Sequence, residues 1–271
     1  MSSKLRLEGK VAIITGAASG IGEAAARLFV ENGAFVVIAD IQDELGHEVV
    51  GSIGSEKASY KHCDVRNEKQ VEETVAFALE KYGTLDIMYS NAGIGGPLTS
   101  ILEMDMEKFN STMATNVSGV AVTIKHAARA MLDRKIRGSI ICTASVAGTL
   151  GGLGPHDYTT SKHAILGLVR SACSELGTYG IRINCVSPFG VGTPLASEMI
   201  KLEASVVEAM SCEMAYLKGI TLKAKHIAEA ALFLASEESV FMSGHNLVVD
   251  GGFTVASNSY PVTAAAATSN M

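Results

Sequence analysis

The feature that most constrains the fold of this 271-residue chain is a glycine-rich turn between a short apolar strand and a helix. The predicted strand Val11–Thr15 runs into Gly16-Ala-Ala-Ser-Gly20-Ile-Gly22, and a helix is predicted over Ile21–Asn32. In such a unit the first glycine permits a tight turn, the second lets a pyrophosphate approach, and the third permits close helix–strand packing. The phosphate binds at the positive end of the helix. This unit therefore predicts a dinucleotide site.

The rest of the chain alternates short β-branched runs with longer helical stretches. Strands rich in valine and isoleucine and joined by helices indicate a parallel sheet that is buried on both faces. Because crossovers are right-handed, we predict a three-layer, doubly wound α/β fold of the Rossmann type, in one domain over residues 1–255. The other predicted strands are Phe35–Ala39, Tyr60–Asp64, Asp86–Ser90, Ser139–Thr143, Ile181–Ser187 and Asn246–Val249. The other predicted helices are one from about Gln42, then Glu68–Tyr82, Met104–Leu132, Tyr158–Leu176 and Ala224–Leu234.

The composition argues against several classes of protein. The net charge is -6 without a cluster of lysine and arginine, so we expect no nucleic-acid partner. No apolar run approaches the roughly 18 residues that span a bilayer, and the N-terminus lacks a signal-peptide core, so we expect a cytoplasmic protein without membrane contact. Five widely spaced cysteines show no metal-ligand spacing, which predicts buried free thiols and no metal site.

Two segments are less sharply patterned. Residues 256–271 are rich in alanine, serine and threonine, and we predict a loosely ordered tail or one that packs on a neighbouring subunit. The stretch Phe189–Leu217 is predicted to be a loop that follows a strand and lines a substrate pocket. Its methionines, Met199, Met210 and Met214, suggest either a pliable lid or a buried seam or subunit contact.

The choice of dinucleotide depends on Asp40, which ends the second predicted strand. A carboxylate there can accept hydrogen bonds from the adenosine ribose and repel the 2′-phosphate of NADP. No lysine or arginine follows it in Ile41-Gln42-Asp43-Glu44, so the sequence predicts NAD, although a solvated loop aspartate is the alternative. Asp64, after the third strand, is predicted either to bind the adenine amino group or to cap the helix that follows.

Tyr158 and Lys162 lie four residues apart on one predicted helix and so share a face. Tyrosine is a weak base near neutral pH because its reference pKa is about 10. A neighbouring ammonium favours the phenolate and lowers that pKa. Such a tyrosine can take the proton of an alcohol while hydride leaves the carbon. A tyrosine and lysine at this spacing are often coincidental, so the pair needs support elsewhere in the chain.

That support comes from two polar residues. Ser145 follows the predicted strand Ser139–Thr143, and the carboxyl ends of strands in open α/β sheets are where ligands bind, so its hydroxyl can hold a substrate oxygen. Asn116 lies within a predicted helix, where a buried amide needs a partner. It is either a satisfied core residue or a water-holding link in a proton relay to Lys162.

With these motifs in order, the sequence resembles the classical short-chain dehydrogenases/reductases from about Leu7 to Phe253. The matching features are Thr15-Gly-x-x-x-Gly-Ile-Gly22, Asn91-Ala-Gly93, Asn116, Ser145, Tyr158-x-x-x-Lys162 and Asn184-x-x-Ser-Pro188. The resemblance implies a seven-stranded sheet, an Asn116–Ser145–Tyr158–Lys162 catalytic tetrad and a homotetramer. One departure is Phe189, where the family usually has glycine after proline, and we expect it to reshape the pocket.

The resemblance also implies how the cofactor is held. Asn91-Ala-Gly93 would pack beside it, Lys162 would hold the nicotinamide ribose, and Pro188, Val191 and Thr193 would contact the nicotinamide end. The predicted cofactor-binding residues are Gly16, Ser19, Gly20, Ile21, Gly22, Asp40, Ile41, Cys63, Asp64, Val65, Asn91, Ala92, Gly93, Tyr158, Lys162, Pro188, Val191 and Thr193.

Within the family, the chain is similar to a plant specialised-metabolism group that includes secoisolariciresinol, borneol and xanthoxin dehydrogenases and nepetalactol-related enzymes. Among the matching stretches are Gly180-Ile-Arg-Ile-Asn-Cys-Val-Ser-Pro188 and Ser243-Gly-His-Asn-Leu-Val-Val-Asp-Gly-Gly252. The resemblance implies NAD-dependent oxidation of a small apolar secondary alcohol, first a monoterpenol such as borneol, then a lactol, with lignan or xanthoxin-type alcohols as further alternatives. Two other hypotheses are a non-redox cyclase or isomerase of a reactive terpenoid enol and an NAD-binding protein without catalysis.

Overall fold

The predicted strands assemble into one parallel sheet in the computed structural model, which describes residues 5–256. Its strands are β1 Val11–Thr15, β2 Phe35–Asp40, β3 Ala58–His62, β4 Ile87–Ser90, β5 Ser139–Thr143, β6 Arg182–Pro188 and β7 Asn246–Val249. Its helices are α1 Gly20–Glu31, α2 Asp43–Ile53, α3 Glu68–Tyr82, α4 Met106–Met113, α5 Gly119–Asp133, α6 His156–Gly177, α7 Pro194–Ile200, α8 Ala204–Met214 and α9 Ala224–Ala235.

The order of the strands places the site. The sheet runs β3-β2-β1-β4-β5-β6-β7, and every neighbouring pair is parallel. The chain moves outward from β1 to β3 and then returns to the other side of β1 with β4. Ligands of such sheets bind outside the carboxyl ends of the strands at this reversal. The glycine-rich turn after β1 and the segment after β4 therefore lie side by side, and the predicted seven-stranded Rossmann-type fold is confirmed.

Alternate residues of the central strands enter two separate cores, as a sheet covered on both faces requires. In β1, Val11 and Ile13 join the core under α3, α5 and α6, whereas Ala12 and Ile14 join the core under α1 and α9. All four side chains are at most 1% exposed, so the start of the glycine-rich turn is held on a rigid strand.

The long helix predicted over Met104–Leu132 is two helices. α4 and α5 are separated by a turn of π-helix over Ala114–Ser118, which adds one residue to the helical turn. A continuous apolar and small-residue pattern does not reveal such a bulge, because its period changes for one turn only. Asn116 lies within this turn and is buried.

The predicted loop Phe189–Leu217 also contains more structure than its sequence indicated, since α7 and α8 lie within it. Proline opens α7 at its first turn, as helix starts favour, but the helix is only seven residues long and has no strong apolar period. The predicted tail over residues 256–271 lies outside the described residues, apart from Ala256.

All five cysteines are free thiols, but Cys173 and Cys212 are only partly buried, unlike the other three. Among the helices of residues 5–256, none is long and apolar enough to span a membrane. Within the same residues, no group of three or more histidine, cysteine or acidic side chains is arranged to hold a metal ion.

Candidate active site

The glycine-rich turn has the backbone that its glycines predict. Gly16 and Gly20 have φ of 64° and 59°, in the left-handed region that favours glycine. A Cβ atom on Gly22 would lie 2.2 Å from the carbonyl oxygen of Gly16, so any side chain there would displace the turn. Ser19 is the N-cap of α1 but makes no side-chain capping bond. The backbone N–H groups of the first turn, which include that of Ile21, therefore have no side-chain cap and can bind a pyrophosphate.

Asp40 ties the end of β2 to this turn. Its carboxylate accepts hydrogen bonds from the backbone N–H groups of Ala18, at 2.9 Å, and Gln42, at 3.0 Å. The side chain is only 5% exposed, so it is not the solvated loop aspartate of the alternative interpretation. Asp40 thus holds the glycine-rich turn in place in addition to offering an acidic group at the predicted adenosine end.

The segment after β3 is only partly as expected. Asp64 pairs with Arg66, with its Oδ2 at 2.6 Å from Nη2, and the helix cap is Asn67, whose side chain accepts from two N–H groups of α3. The alternative in which Asp64 caps this helix is therefore wrong, because Asn67 stands one residue before the helix and takes that place. Cys63 and Val65 have buried side chains, whereas Ile41 is exposed.

Asn91-Ala-Gly93 packs directly on the glycine-rich turn. The Asn91 Nδ2 donates to the carbonyl oxygens of Thr15 and Gly16 at 3.1 and 3.2 Å, and the Thr15 hydroxyl accepts from the N–H groups of Asn91 and Ala92. A Cβ atom on Gly93 would lie 3.3 Å from Asn116 Oδ1 and 3.7 Å from Lys162 Nζ. Gly93 therefore joins the predicted cofactor site to the predicted catalytic residues.

Three of the four predicted catalytic residues meet at the carboxyl end of β5. Ser145 follows this strand, and its hydroxyl shares a hydrogen bond with the phenol of Tyr158. The Nζ of Lys162 lies 5.3 Å from the centre of the Tyr158 ring. Lys162 is 3% exposed and donates a 2.8 Å hydrogen bond to the carbonyl oxygen of Thr143. A phenol, a hydroxyl that can hold an oxygen and a cation therefore lie together at this end of the strand.

Burial governs the acid–base properties of this cluster. Burial raises the pKa of the Tyr158 phenol, and the hydrogen bond from Ser145 lowers it only in part. The predicted lowering of the Tyr158 pKa by Lys162 is therefore not seen in the protein alone. Burial also lowers the pKa of Lys162 to about 8, because few groups compensate the charge of its ammonium.

Asn116 lies in the π-helical turn and is fully buried. Its Oδ1 accepts from the N–H of Ile94, and its Nδ2 donates to the Ile94 carbonyl, both at 2.8 Å. Its Nδ2 also donates to the hydroxyl of Ser161 at 3.0 Å. These contacts agree with a satisfied core amide that fixes the segment after β4 to α6. The role in a proton relay stays a prediction.

The segment after β6 lies beside the glycine-rich turn. A Cβ atom on Gly20 would lie 3.5 Å from the Thr193 side chain, so this segment approaches the glycine-rich turn. Pro188 ends β6 and Val191 is buried beside it. Phe189, the departure from the family pattern, stacks on Phe253 with ring centroids 4.4 Å apart.

Sequence reasoning missed Thr143, whose hydroxyl bonds both Asn91 and Tyr89 and whose carbonyl oxygen holds Lys162. Its place at the end of β5, two residues before Ser145, was a usable signal.

Of the three methionines considered as a lid, Met210 and Met214 are each 46% exposed, so neither forms a buried seam within this chain.

The chain is similar to several known proteins over nearly its whole length. A family model described as enoyl-(acyl carrier protein) reductase matches residues 16–254. Short-chain dehydrogenase reductase 3b of Arabidopsis thaliana is 58% identical, covering 94% of this chain and 99% of the relative. Momilactone A synthase of Oryza sativa subsp. japonica is 50% identical, covering 94% of this chain and 93% of the relative. The (+)-cis,trans-nepetalactol synthase of Nepeta racemosa is also 50% identical, covering 93% and 96%.

Among solved structures, the 3-ketoacyl-(acyl-carrier-protein) reductase of Brucella melitensis superposes with a TM-score of 0.82 at 32% sequence identity. The match covers 92% of this chain and all of the other, which was solved in complex with NADH, in agreement with the predicted cofactor. Sequence, fold and site thus lead to one conclusion: the chain belongs to the short-chain dehydrogenase/reductase family of oxidoreductase enzymes.

Proposed function

We propose that this enzyme uses NAD to oxidise a secondary alcohol of an apolar plant terpenoid to the ketone, with the monoterpenol borneol as the first candidate. The observation that carries the proposal is the cluster of Ser145, Tyr158 and Lys162 next to Gly93, at the reversal of strand order. A positioned base beside a dinucleotide site is what removal of a proton and a hydride from one alcohol requires.

The catalytic residues act on the hydroxyl of the substrate. Ser145 holds the substrate oxygen by a hydrogen bond, and Tyr158, as phenolate, accepts its proton. Lys162 is mostly protonated below its pKa of about 8, so at neutral pH it places a positive charge near the Tyr158 ring. Asn116 would connect Lys162 to solvent in a proton relay. When bound, NAD would supply the hydride acceptor and a second positive charge.

The residues present fit NAD. The N-terminus of α1 is not capped by the Ser19 side chain and accepts the pyrophosphate, while Asp40 offers a carboxylate to the adenosine ribose. The exposed side chain of Ile41 and the main chain around Asp64 would border the adenine. Lys162 would also bind the nicotinamide ribose, next to Gly93.

Exposed apolar side chains in the segments after β4 and β6 support a terpenoid substrate. These large apolar side chains are more than a third exposed, and they come from the segment after β4 and from α8 and the residues beside it: Ile94, Leu98, Ile101, Leu102, Val206, Met210, Met214 and Leu217. Relatives at 50% identity are named momilactone A synthase and nepetalactol synthase, which favours a terpenoid over the lignan alternative. A lactol is the second substrate class to test.

The test is incubation with NAD and a panel of terpenols and lactols, measuring NADH absorbance and identifying the ketone by mass spectrometry. Tyr158→Phe is expected to lower the rate by about 10²- to 10⁴-fold, because it removes the proton acceptor. Equal rates for Tyr158→Phe and the parent, or no NADH from any alcohol, would overturn the proposal.

A second candidate is a non-redox cyclisation of a terpenoid enol on the same fold, favoured by the similarity to a nepetalactol synthase. It predicts product without net NADH and activity that survives Tyr158→Phe. The same incubation therefore separates the two candidates.

We also propose a homotetramer in the cytoplasm. In support, β7 is an edge strand with all four residues half-buried, and Val240 and Phe241, a few residues before it, are exposed. Exposed apolar surface at a sheet edge is typical of subunit contacts. Light scattering during size-exclusion chromatography should give four times the 28.3 kDa chain mass, and Phe241→Glu should reduce it.

A further inference from the structure

Two glycines flank the catalytic tyrosine without any conformational need for glycine. Neither Gly95 nor Gly154 has a positive φ, so an L-residue would meet no backbone strain at either position. A Cβ atom at either position would instead be in van der Waals contact with the Tyr158 ring. A Cβ atom on Gly95 would lie 3.6 Å from Cδ2 of Tyr158, and one on Gly154 would lie 3.4 Å from Cδ1. The two glycines therefore border the two edges of the ring.

The space beside both glycines is occupied by Met199 of α7. A Cβ atom on Gly95 would overlap its thioether, at 2.1 Å from Sδ and 2.7 Å from Cγ. A Cβ atom on Gly154 would lie 4.0 Å from its Cε. The side chain thus reaches from α7 to both glycines and forms a wall of the cleft next to the Tyr158 ring. The absence of a side chain on Gly95 makes room for this wall.

The wall belongs to a short helix that is only partly buried. α7 has no fully buried residue, and it ends at Lys201 in the left-handed conformation, with φ of 56°. Thr193 caps its N-terminus through a long bond of 3.3 Å to the N–H of Ala196. Methionine has three rotatable side-chain bonds and fits irregular shapes. A substrate can therefore push the thioether aside without disturbing the buried sheet.

We infer that Met199 is a specificity-determining residue, which sets the size of the ring system that can lie against Tyr158. The inference rests on the proposed function, because it concerns the alcohol substrate of the same site. A small ring leaves the thioether in place, whereas a bridged bicyclic ring must displace it. Shortening residue 199 therefore favours bulky alcohols over small ones.

The first experiment compares kcat/KM for borneol and for cyclohexanol in the parent, Met199→Ala and the control Met106→Ala. Met106 is an exposed methionine on α4, so the control removes an equal side chain elsewhere. Met199→Ala is expected to shift the borneol-to-cyclohexanol ratio upward by about tenfold, the effect of a few carbon atoms in an apolar pocket. A ratio that is the same in Met199→Ala and Met106→Ala overturns the inference.

The second experiment tests the contact between Gly95 and Met199 by a double-mutant cycle. Gly95→Ala fills the space of the thioether and forces it toward the substrate, so borneol turnover should fall several-fold in the parent. In the Met199→Ala background the same change should have little effect, because the overlapping atoms are gone. Equal losses in both backgrounds would show that Gly95 acts independently of Met199 and would overturn the inference.

A binding measurement separates this inference from the proposed oxidation. Camphor and cyclohexanone are titrated into each enzyme–NADH complex, and the change in NADH fluorescence gives both dissociation constants. If no alcohol is turned over, the proposed oxidation fails, but a tenfold higher preference for camphor in Met199→Ala still supports the role of Met199. An unchanged preference overturns it.

Discussion

The ammonium of Lys162 donates a 2.8 Å hydrogen bond to the carbonyl oxygen of Thr143, which joins α6 to the end of β5 inside the protein. The Thr143 hydroxyl bonds Asn91 Oδ1 at 2.9 Å and the Tyr89 phenol at 3.0 Å. Because Asn91 Oδ1 can only accept, the Thr143 hydroxyl donates to it and accepts from Tyr89. A hydrogen-bonded path with fixed polarity therefore links the glycine-rich turn, through Asn91, to the strand end that holds Lys162.

Thr143→Val should destabilise the protein while keeping the side-chain shape. It leaves Asn91 Oδ1 and the fully buried Tyr89 hydroxyl without this partner, which costs about 1 to 3 kcal/mol per group. Thr143→Ser keeps the hydroxyl and should retain most of the stability and activity. Urea unfolding measures the first effect and turnover the second. Equal free energies of unfolding for the valine and serine variants would show that this hydrogen-bonded path does not stabilise the protein.

Gly22→Ala should weaken NADH binding by at least about tenfold, since its Cβ atom would overlap the Gly16 carbonyl and shift the turn. Gly51→Ala is a matched control, because it also lies in a helix but has open space around the added carbon. That control should raise stability by about 0.5 to 1 kcal/mol through helix propensity. Fluorescence titration with NADH measures the affinity, and thermal unfolding measures the stability. Normal NADH affinity in Gly22→Ala would contradict the proposal that this turn binds the cofactor.

Asp40→Ala should both relax the preference for NAD over NADP and weaken the binding of either dinucleotide. The first effect follows from loss of the charge that repels a 2′-phosphate, and the second from loss of the bond to the Ala18 N–H in the phosphate-binding turn. Asp40→Asn keeps an acceptor for Ala18 and should bind NAD more tightly than the alanine variant. The comparison uses kcat/KM for both cofactors. A parent enzyme that turns over NADP as well as NAD would contradict this assignment.

Stability should depend on pH through Lys162. Its pKa in the fold is about 8, below the 10.5 of an unburied lysine, so between these values the unfolded chain binds more protons. This group therefore adds stability as the pH rises through that window. The stability of the parent relative to Lys162→Met should increase by about 2 kcal/mol from about pH 7.5 to about pH 9.5. Urea unfolding at both pH values measures it, and a constant difference would contradict the burial of this charge.

The sequence by itself determined the doubly wound sheet, the glycine-rich turn and the helix that carries Tyr158 and Lys162. These features depend on local chemistry: β-branched runs, glycines at fixed spacing and residues four apart on a helix. The predicted positions of Ser145 and Asp40 also followed from strand ends, since parallel strands place their carboxyl ends at one edge.

Only the tertiary structure decided how these groups are connected. The bond from Lys162 to Thr143, the insertion of Asn116 between Ile94 and Ser161, and the approach of Met199 to Gly95 each join segments that are distant in the chain. The direction of the Tyr158 pKa shift was also decided there, because desolvation depends on all the atoms that surround a group. Local patterns carry no information on such contacts, which arise when helices and strands pack.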